Sequence, residues 1–359
     1  MKRDRYRVLM IGPDRSVHGG ISGVVNNYYE AGLDRRIVLC YIGTMVEGSK
    51  WRKLVQAAKA YLQFLVRLPR YDIVHVNMAS DVSFYRKSVF IQTASVCGKK
   101  IVIHQHGGNF PVFYEEELSE AGRRRARKIL SMGDAFLVLG TAWKDFFGKI
   151  IGREKITVLP DAIQIPKRRE KRYGIHKILF LGRLCREKGI GELLSVMPAL
   201  RERYPNVQLF LGGIWEDEEL KKRALTMKDC VTDLGWVSGD IKQKYLRECD
   251  IFVMPSYFEG QSVSVLEAMA NACGIAASDT GGIPDMIVDG ETGLLAAPRD
   301  AAALEKAIGR LLEDEGLCRK LGENARHKAE AEFSMENNME RLLAVYETVR
   351  NGKHGGKIG

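Results

Sequence analysis

Residues 250–270 read DIFVMPSYFEGQSVSVLEAMA, and this stretch decides the fold class. Its first seven residues, DIFVMPS, have the length and the apolar character of a buried strand. A turn that contains Gly260 follows, and an apolar helical pattern begins near Ser262. A strand that leads through a short turn into a helix is the repeating unit of parallel α/β folds.

The alternation of strand and helix continues in both directions from this stretch. It predicts an α/β fold with two doubly wound, Rossmann-like sheets, whose ligand loops follow the carboxyl ends of the strands. The amphipathic segment 51–68 is expected to pack on the first sheet rather than to insert into a membrane. The predicted strands are RVLMIG (7–12), VLCYIG (38–43), DIVHVN (72–77), KIVIHQHG (100–107), AFLVLG (135–140), ITVLP (156–160), KILFLG (177–182), VQLFLGG (207–213), VTDLGWV (231–237), DIFVMPS (250–256) and GIAASD (274–279).

The length of 359 residues suggests two domains, at about 150 residues each. The alternation breaks at QIPKRREKRYGIHK (163–176), where Pro166, a run of charges and Gly174 are typical of an interdomain linker. The predicted organisation is a first domain over 1–166, a second over 167–332, a helix over 333–351 that returns to the first domain, and a flexible tail over 352–359.

The composition is that of a soluble globular protein, with 45% hydrophobic and 28% charged residues. No apolar run approaches the roughly 20 residues that cross a bilayer. The N-terminal MKRDRYRVLMIG is typical of a first buried strand rather than of a signal peptide. Seven scattered cysteines without a C-x-x-C pair indicate reduced thiols in a cytosolic protein.

Positive charge is concentrated in the first half of the chain. Residues 1–166 carry 26 Lys and Arg against 15 Asp and Glu, a net charge of +11, whereas 167–359 carry 29 against 30, a net charge of −1. A basic half fits a polyanionic partner, which can be a nucleic acid, an anionic membrane face or a phosphorylated substrate. The alternative is that the excess charge only keeps the protein soluble.

Two glutamates flank the predicted helix start in the stretch quoted first. Free amides and the dipole at a helix N-terminus form an anion site that suits a diphosphate. Glu259 lies in the turn and Glu267 lies in the helix, and each carboxylate can accept two hydrogen bonds from sugar hydroxyls. The alternative is an ordinary turn residue and a solvated helix residue, but Glu267 lies among apolar residues and therefore needs a partner.

A second cationic loop is predicted in FLGRLCREKGI (180–190). Arg183 and Lys188 follow a strand and precede a helix, so both would lie at a carboxyl edge of the sheet. An Arg fork and a Lys point charge together suit a diphosphate. Surface Arg and Lys are common, so this pattern alone is a modest signal.

Taken together, EGxSxxxLEAMA, the upstream GRLxxEKG and the downstream TGGIPDMIVDGETGLL (280–295) resemble the retaining glycosyltransferases of family 4. The resemblance covers most of the chain, is strongest over 177–300, and implies the GT-B fold, with two domains that face each other across a cleft. It implies that Arg183 and Lys188 bind the donor diphosphate, that Glu267 holds the ribose hydroxyls, and that Glu259 faces the donor sugar. It places the nucleotide base beside the backbone of Gly235–Val237. It also implies that the backbone of Gly260, Gln261, Ser262 and Val263 binds the phosphates.

The first half resembles the same family at two motifs. In HGGISGVVNN (18–27), the resemblance implies that Gly19 and Gly20 approach the donor phosphate, and in IHQHGGNF (103–110) it places His106 beside the donor sugar. A lone histidine is often structural, and His104 is the weaker candidate. The chain departs from the family at PDAIQIP (160–166), where many relatives read P-N-G-V/I-D; Asp161 and Ala162 replace the Asn and Gly.

The resemblance implies retaining transfer of a sugar from a UDP- or GDP-linked donor to a glycan or lipid-linked acceptor, in cell-envelope or exopolysaccharide synthesis. Since the chain contains no D-x-D motif, we expect a metal-independent reaction without a cofactor. The alternatives are a sugar-nucleotide epimerase or a glycan phosphorylase on the same fold, and a non-catalytic nucleotide-sugar-binding protein. Nucleic acid is not an expected partner, because no nucleic-acid motif accompanies the basic half. The sequence leaves the donor base and sugar, the acceptor, the linkage and the oligomeric state open.

The basic first half suggests a cytoplasmic enzyme that docks peripherally on the inner face of the cell membrane. The expected contact is the helical run Arg123, Arg124, Arg125, Arg127 and Lys128, extended by Arg86, Lys87, Lys99 and Lys100. A solubilising helix or a site for a soluble phosphorylated acceptor would give the same pattern.

Overall fold

The computed structural model describes residues 6–107 and 109–352. Within these residues the strands form two six-stranded sheets, and every neighbouring pair is parallel. The predicted α/β class with two doubly wound sheets is confirmed.

The N-terminal sheet has the strand order β2-β1-β3-β4-β5-β6, and the C-terminal sheet has the order β12-β11-β10-β7-β8-β9. The strands are β1 (Arg7–Gly12), β2 (Val38–Gly43), β3 (Ile73–Met78), β4 (Lys100–Gln105), β5 (Ala135–Val138), β6 (Ile156–Val158), β7 (Lys177–Leu181), β8 (Gln208–Gly212), β9 (Val231–Gly235), β10 (Ile251–Met254), β11 (Gly274–Ser278) and β12 (Leu294–Ala296).

Helices connect these strands and cover the sheets. They are α1 (Gly20–Glu30), α2 (Leu33–Arg36), α3 (Lys50–Arg67), α4 (Asp81–Val96), α5 (Phe110–Val112), α6 (Glu120–Leu130), α7 (Thr141–Ile151), α8 (Ile190–Arg203), α9 (Glu218–Leu225), α10 (Gly239–Glu248), α11 (Val263–Ala270), α12 (Ile283–Met286), α13 (Ala301–Glu313), α14 (Glu315–Glu332) and α15 (Met335–Arg350). Short 3-10 helices lie at Leu68–Arg70, Arg153–Lys155 and Arg186–Lys188, and a π-helical turn lies at Phe113–Glu117.

Burial explains why the central strands could be recognised from sequence. Every residue of β3, β5, β10 and β11 is buried, as expected for parallel strands that are covered by helices on both faces. The edge strand β9 is more exposed, and it ends at Gly235, which has a φ of +62°. The predicted strand over 231–237 was therefore two residues too long.

Besides the short helices α2, α5 and α12, three further elements were not predicted from the sequence. The strand β12 has only three residues, which is too short to produce a recognisable pattern. The helix α7 was not predicted, and neither was α14, in which Leu321 is the one large apolar residue that is buried, among mostly small ones. At Gly322 in α14, a Cβ would lie 2.3 Å from the Ala272 carbonyl oxygen, so the close packing requires glycine.

The chain divides into two compact units. The N-terminal unit comprises the residues through Gln164 together with those from Met335 onward, and the C-terminal unit is Ile165–Ser334. The helix α15 thus belongs to the N-terminal unit, where Asn338 accepts a 2.6 Å hydrogen bond from the Tyr28 hydroxyl. The sequence analysis had placed these boundaries at 166/167 and 332/333. Most of the predicted tail, 353–359, lies outside the described residues.

The predicted packing of segment 51–68 on the sheet is only partly right. Within α3 the structure buries Ala60 and Phe64, and Phe64 packs edge-to-face on Phe90 of α4 at a centroid distance of 5.0 Å. The remaining large apolar side chains of this helix are mostly exposed, among them Trp51. One narrow line of side chains is sufficient to hold the helix on the sheet.

The seven cysteines are free thiols, and five of them are buried. Burial raises the pKa of the Cys318 thiol to about 12, which keeps it protonated. In the part of the chain that the structure describes, no helix combines the length and the apolar character needed to cross a bilayer.

Candidate active site

The candidate site of the C-terminal unit lies where the direction of strand order reverses. Strand β7 is followed by β8 on one side and is paired with β10 on the other, so the loops after β7 and β10 meet at a topological switch point. Ligands of doubly wound sheets bind in the crevice at such a point. Arg183 and Lys188 lie in the first loop, and Glu259 lies in the second.

Glycine allows these two loops to touch. Gly189, directly after Lys188, has a φ of +71°, and a Cβ at this position would lie 2.0 Å from the Pro255 carbonyl oxygen. Nearby, the backbone N–H of Tyr257 donates to the Glu187 carbonyl at 2.8 Å. A side chain at Gly189 would therefore force the loops apart.

The main contact of the site is an ion pair between Lys188 and Glu259. The Lys188 Nζ lies 2.5 Å from the Glu259 Oε1, and the two side chains are 19% and 8% exposed. The same oxygen accepts a 2.8 Å hydrogen bond from the hydroxyl of the fully buried Ser256. The sequence analysis predicted both charged residues but missed Ser256.

The loop after β11 supports Glu259 from its backbone side. Gly281 has a φ of +57°, and a Cβ there would lie 1.8 Å from the Glu259 carbonyl oxygen. The N–H of Gly282 donates to this oxygen at 3.2 Å. The TGG triplet that was noted in the sequence therefore fixes the turn that presents the carboxylate.

The predicted phosphate-binding segment leads directly into α11. Ser262 precedes the first helical residue, Val263, and its hydroxyl lies 3.1 Å from that of Ser264. Gly260 and Ser262 are buried, whereas Gln261 is half-buried. The amides of this helix start are thus positioned at the carboxyl edge of β10, as the anion-site prediction requires.

Glu267, which lies among apolar residues, forms an ion pair with a lysine. The Lys242 Nζ on α10 lies 2.5 Å from the Glu267 Oε1, and both side chains are largely buried. The sequence analysis did not predict Lys242. No periodicity connects residues 25 positions apart, so the pair depends on the packing of α10 beside α11.

Arg183 and Val237 take no part in the Lys188–Glu259 ion pair. The Arg183 guanidinium pairs with Glu216, at 2.9 Å, and both side chains are about half exposed. Val237, beyond the end of β9, is 9% exposed. The structure thus brings Lys188 and Glu259 together, but it pairs Arg183 with a residue that the sequence analysis had not considered.

The N-terminal unit places its predicted glycines at the start of a helix. Gly19 precedes α1 and Gly20 is its first residue, and both are exposed. A Cβ at either position would meet no described atom within 4 Å. There is therefore open space beside both glycines.

Each ring nitrogen of His106 lies close to a side-chain oxygen. Its Nε2 lies 3.0 Å from the Asn77 Oδ1, and its Nδ1 lies 3.2 Å from the Asp161 Oδ1. The His106 and Asp161 side chains are each 4% exposed. The residue at which the chain departs from the family pattern thus contacts the histidine that the resemblance singled out.

Two further histidines lie behind His106. Burial and the neighbouring His106 lower the pKa of His75 to about 3, and burial also lowers the pKa of His104 well below its usual range. Both rings are therefore neutral at pH 7. The His75 Nδ1 and the Tyr346 hydroxyl of α15 are hydrogen-bonded at 2.6 Å.

One cluster in the described residues has the composition of a metal site. Ligand atoms of His104, His106 and Asp161 lie within 4.8 Å of one another. A tetrahedral zinc site would bring such atoms to about 3.4 Å, given metal–ligand distances of ~2.1 Å. The His106 Nδ1 and the Asp161 Oδ1 are already 3.2 Å apart. The expected metal-independent reaction stays a prediction.

Comparison with known proteins identifies the C-terminal unit. Residues 162–328 match the family model described as glycosyl transferases group 1. This segment is a group 1 glycosyl transferase domain. It contains the four charged residues predicted for the donor site, namely Arg183, Lys188, Glu259 and Glu267.

Curated relatives match this chain over part of their length. The glycogen synthase of Mycobacterium tuberculosis is 28% identical over 212 residues, which are 56% of this chain and 50% of that protein. The capsular polysaccharide biosynthesis glycosyltransferase CapM of Staphylococcus aureus is 30% identical over 222 residues, 56% and 57% of the two chains. The chain spans about half the length of the curated relatives it matches.

Solved structures match this chain over nearly its full length. Sucrose-phosphate synthase from Thermosynechococcus elongatus superposes with a TM-score of 0.80 at 20% identity, covering 97% of this chain and all of that one. HepE of Anabaena, in complex with UDP, gives a TM-score of 0.76 at 17% identity and covers 95% and 100% of the two chains. The predicted GT-B fold is confirmed.

Proposed function

We propose that this protein transfers a glycosyl group from a nucleoside diphosphate sugar to a hydroxyl acceptor, with retention at the anomeric carbon. The observation that carries the proposal is the Lys188–Glu259 ion pair at the switch point, directly before the helix start at Val263. A cation, a carboxylate and free helix amides within one loop cluster suit a sugar linked to a diphosphate.

In this proposal the donor displaces protein carboxylates from the basic side chains. Lys188 leaves Glu259 and Arg183 leaves Glu216 as each cation turns to the diphosphate. Glu259 is then released to accept hydrogen bonds from sugar hydroxyls, and Glu267 accepts hydrogen bonds from the ribose. The solved HepE structure is a complex with UDP, which supports a uridine base, and of the UDP- and GDP-linked donors we propose the UDP-linked one.

The transfer step breaks the bond between the anomeric carbon and the diphosphate oxygen and forms a bond to the acceptor oxygen on the same face. The acceptor proton passes to the leaving phosphate oxygen. Lys188, Arg183 and the amides at the start of α11 stabilise the negative charge that develops on the diphosphate. We propose that this charge stabilisation makes a metal ion unnecessary, and that no cofactor takes part.

We further propose that the acceptor is a cell-envelope or exopolysaccharide glycan, free or lipid-linked, and that the enzyme works in the cytoplasm beside the membrane. The relative CapM, a capsular polysaccharide biosynthesis glycosyltransferase, supports this assignment. The excess positive charge of residues 1–166 supports an anionic membrane face as a partner.

The basic patch expected from the sequence needs one correction. Lys87 is 1% exposed and donates to the Thr44 hydroxyl, so it cannot contact lipid. The five cations of the run in α6 are all exposed, namely Arg123, Arg124, Arg125, Arg127 and Lys128. Arg124 is paired with Glu120 at 2.7 Å.

A donor screen followed by product analysis tests the proposal. The melting temperature should rise with UDP-sugars more than with GDP- or ADP-sugars, because ligands that bind the native state stabilise it. With the donor so identified, NMR of the product should show the anomeric configuration of the donor. Inverted product would refute retention, release of free UDP together with an altered sugar and without an acceptor would indicate an epimerase, and dependence on inorganic phosphate would indicate a phosphorylase.

A further inference from the structure

The helix α3 carries two apolar stripes on opposite sides. Its buried residues, Ala60 and Phe64, form the stripe that packs in the N-terminal unit. At about 100° per residue, the large exposed apolar residues lie within an arc of about 120° that is centred opposite this buried line. They are Trp51, Leu54, Val55, Leu62, Leu65 and Val66.

This second stripe is unusually open for a soluble protein. Trp51 is 73% exposed and Val66 is 74% exposed, and they lie near opposite ends of an 18-residue helix. Single exposed apolar side chains are common, but a continuous stripe of this kind marks an interaction surface.

The charges of α3 match the stripe to an anionic surface. The helix contains Lys50, Arg52, Lys53, Lys59 and Arg67, and it contains no acidic residue. On the helical wheel, Arg52 and Lys59 border the exposed stripe directly. A helix with an apolar stripe, a tryptophan and a basic border lies in the plane of a bilayer interface, with its apolar side below the headgroups.

The neighbouring helix α4 extends the surface. Right-handed crossovers place α3 and α4 on the same face of the N-terminal sheet, and the Tyr61 hydroxyl bonds to that of Thr93 at 2.9 Å. The buried side of α4 includes Phe84 and Ile91. Its large exposed apolar residues fall within an arc of about 60° on the opposite side, namely Val82, Tyr85, Val89 and Val96.

We propose that α3 and α4 together form the surface by which the N-terminal unit lies on an anionic bilayer, with α3 as an in-plane interfacial helix. This inference rests on the membrane docking of the proposed function, but it assigns the contact to a different surface from α6. The lipid acyl chains cover the α3 and α4 stripes, and anionic headgroups contact Arg52 and Lys59.

Vesicle co-sedimentation with the full chain tests the surface. Wild-type protein should sediment with phosphatidylcholine vesicles that contain phosphatidylglycerol, and binding should weaken with salt and with pure phosphatidylcholine. The variant Trp51→Ser/Val66→Ser should lose most of this binding, and Arg52→Gln/Lys59→Gln should weaken it on the order of tenfold. The matched control Leu225→Ser/Ile241→Ser replaces exposed apolar residues of the C-terminal unit and should bind as wild type does.

A second readout reports the depth of Trp51. Lipids with brominated acyl chains should quench the protein's tryptophan fluorescence, and Trp51→Phe should remove most of the quenching while vesicle binding is retained. Unchanged melting temperatures would show that the variants fold.

Three outcomes would overturn the assignment. Wild-type binding by Trp51→Ser/Val66→Ser, combined with its loss in Arg124→Ala/Arg127→Ala/Lys128→Ala, would move the contact to α6. A lipid-free dimer that Trp51→Ser/Val66→Ser dissociates would assign the stripe to a second copy of the chain. The absence of binding to either kind of vesicle would refute membrane docking. The donor binding on which the proposed transfer depends would still be tested separately, by melting-temperature shifts with nucleotide sugars.

Discussion

At the carboxyl edge of the C-terminal sheet, the basic side chains of the candidate site contact carboxylates, whereas in the N-terminal unit several bases are buried and have lowered pKa values. Lys188 contacts Glu259, and Lys242 contacts Glu267. In the N-terminal unit, burial lowers the pKa values of His75 and His104. Burial also lowers the pKa of Lys87 from 10.5 to about 7.

The difference separates two uses of a polar side chain. A lysine or arginine in an ion pair can exchange its carboxylate partner for the diphosphate of a ligand, because its own charge has an anionic partner before and after the exchange. A neutral buried base has no charge to offer a diphosphate and instead contributes to packing and hydrogen bonding. The comparison therefore assigns charge stabilisation to the C-terminal edge.

The largest expected effect is that of Glu259→Gln. Removing this carboxylate leaves Lys188 without its partner and removes the charge that faces the donor sugar in our proposal. We expect kcat to fall on the order of 100- to 1000-fold, as measured with the donor found by the screen. Glu315→Gln, an exposed glutamate paired with Arg319 in the same unit, is the matched control and should retain wild-type turnover. Wild-type kinetics for Glu259→Gln would remove this ion pair from the active site.

Substitution of the two cations Lys188 and Arg183 should have the second-largest effect. Lys188→Ala and Arg183→Ala should each lower kcat/KM, with a loss of about 2–4 kcal/mol of transition-state stabilisation. The loss should be larger for Lys188→Ala, because Lys188 is less exposed than Arg183. Activity should persist in EDTA. Complete loss of activity in EDTA, with recovery on addition of Mg²⁺ or Mn²⁺, would contradict the metal-independent step.

The buried bases of the N-terminal unit can be examined through Lys87, whose pKa is lowered from 10.5 to about 7 by burial and by the neighbouring Arg86. Between these pH values the unfolded chain binds a proton that the folded chain does not, so the stability of the wild type rises with pH across this window. Lys87→Met should therefore stabilise the protein by about 1–3 kcal/mol at pH 7, with no gain above pH 10.5. Denaturant unfolding at both pH values measures this, and the exposed Lys306→Met should give no such trend. A gain that did not depend on pH would mean that packing, rather than charge, is responsible.

The smallest expected effect is that of Glu267→Gln. Since Glu267 holds the donor ribose in our proposal, its loss should raise the donor KM by about tenfold and change kcat little, as expected for an interaction present equally in the ground and transition states. Steady-state kinetics with varied donor concentration separates the two constants. A large fall in kcat would instead make Glu267 a participant in the transfer step.

The sequence predicted those parts of the site that repeat a local pattern. The strand ends, the helix start at Ser262 and the charged residues Lys188 and Glu259 each lie within one short motif. The partners Glu216 and Lys242 could not be predicted, because they contact Arg183 and Glu267 through the packing of segments more than 20 residues apart.

The exposed stripe of α3 was missed for a related reason. From the sequence alone, its apolar residues indicated a helix that packs on the sheet, and hydropathy does not distinguish a side chain that is covered by protein from one that remains open. Only the structure distinguishes the buried stripe that contains Phe64 from the exposed stripe that contains Trp51.

The return of α15 to the N-terminal unit has a consequence for the order of folding during synthesis. Tyr346 bonds to His75, and Asn338 bonds to Tyr28, so the core around the first sheet includes residues that the ribosome adds after the whole C-terminal unit. The C-terminal unit is continuous in sequence and can close as soon as it emerges. The unit that is translated first is therefore the one that completes its core last, and until then it leaves the groups that bond α15 open to solvent and to chaperones.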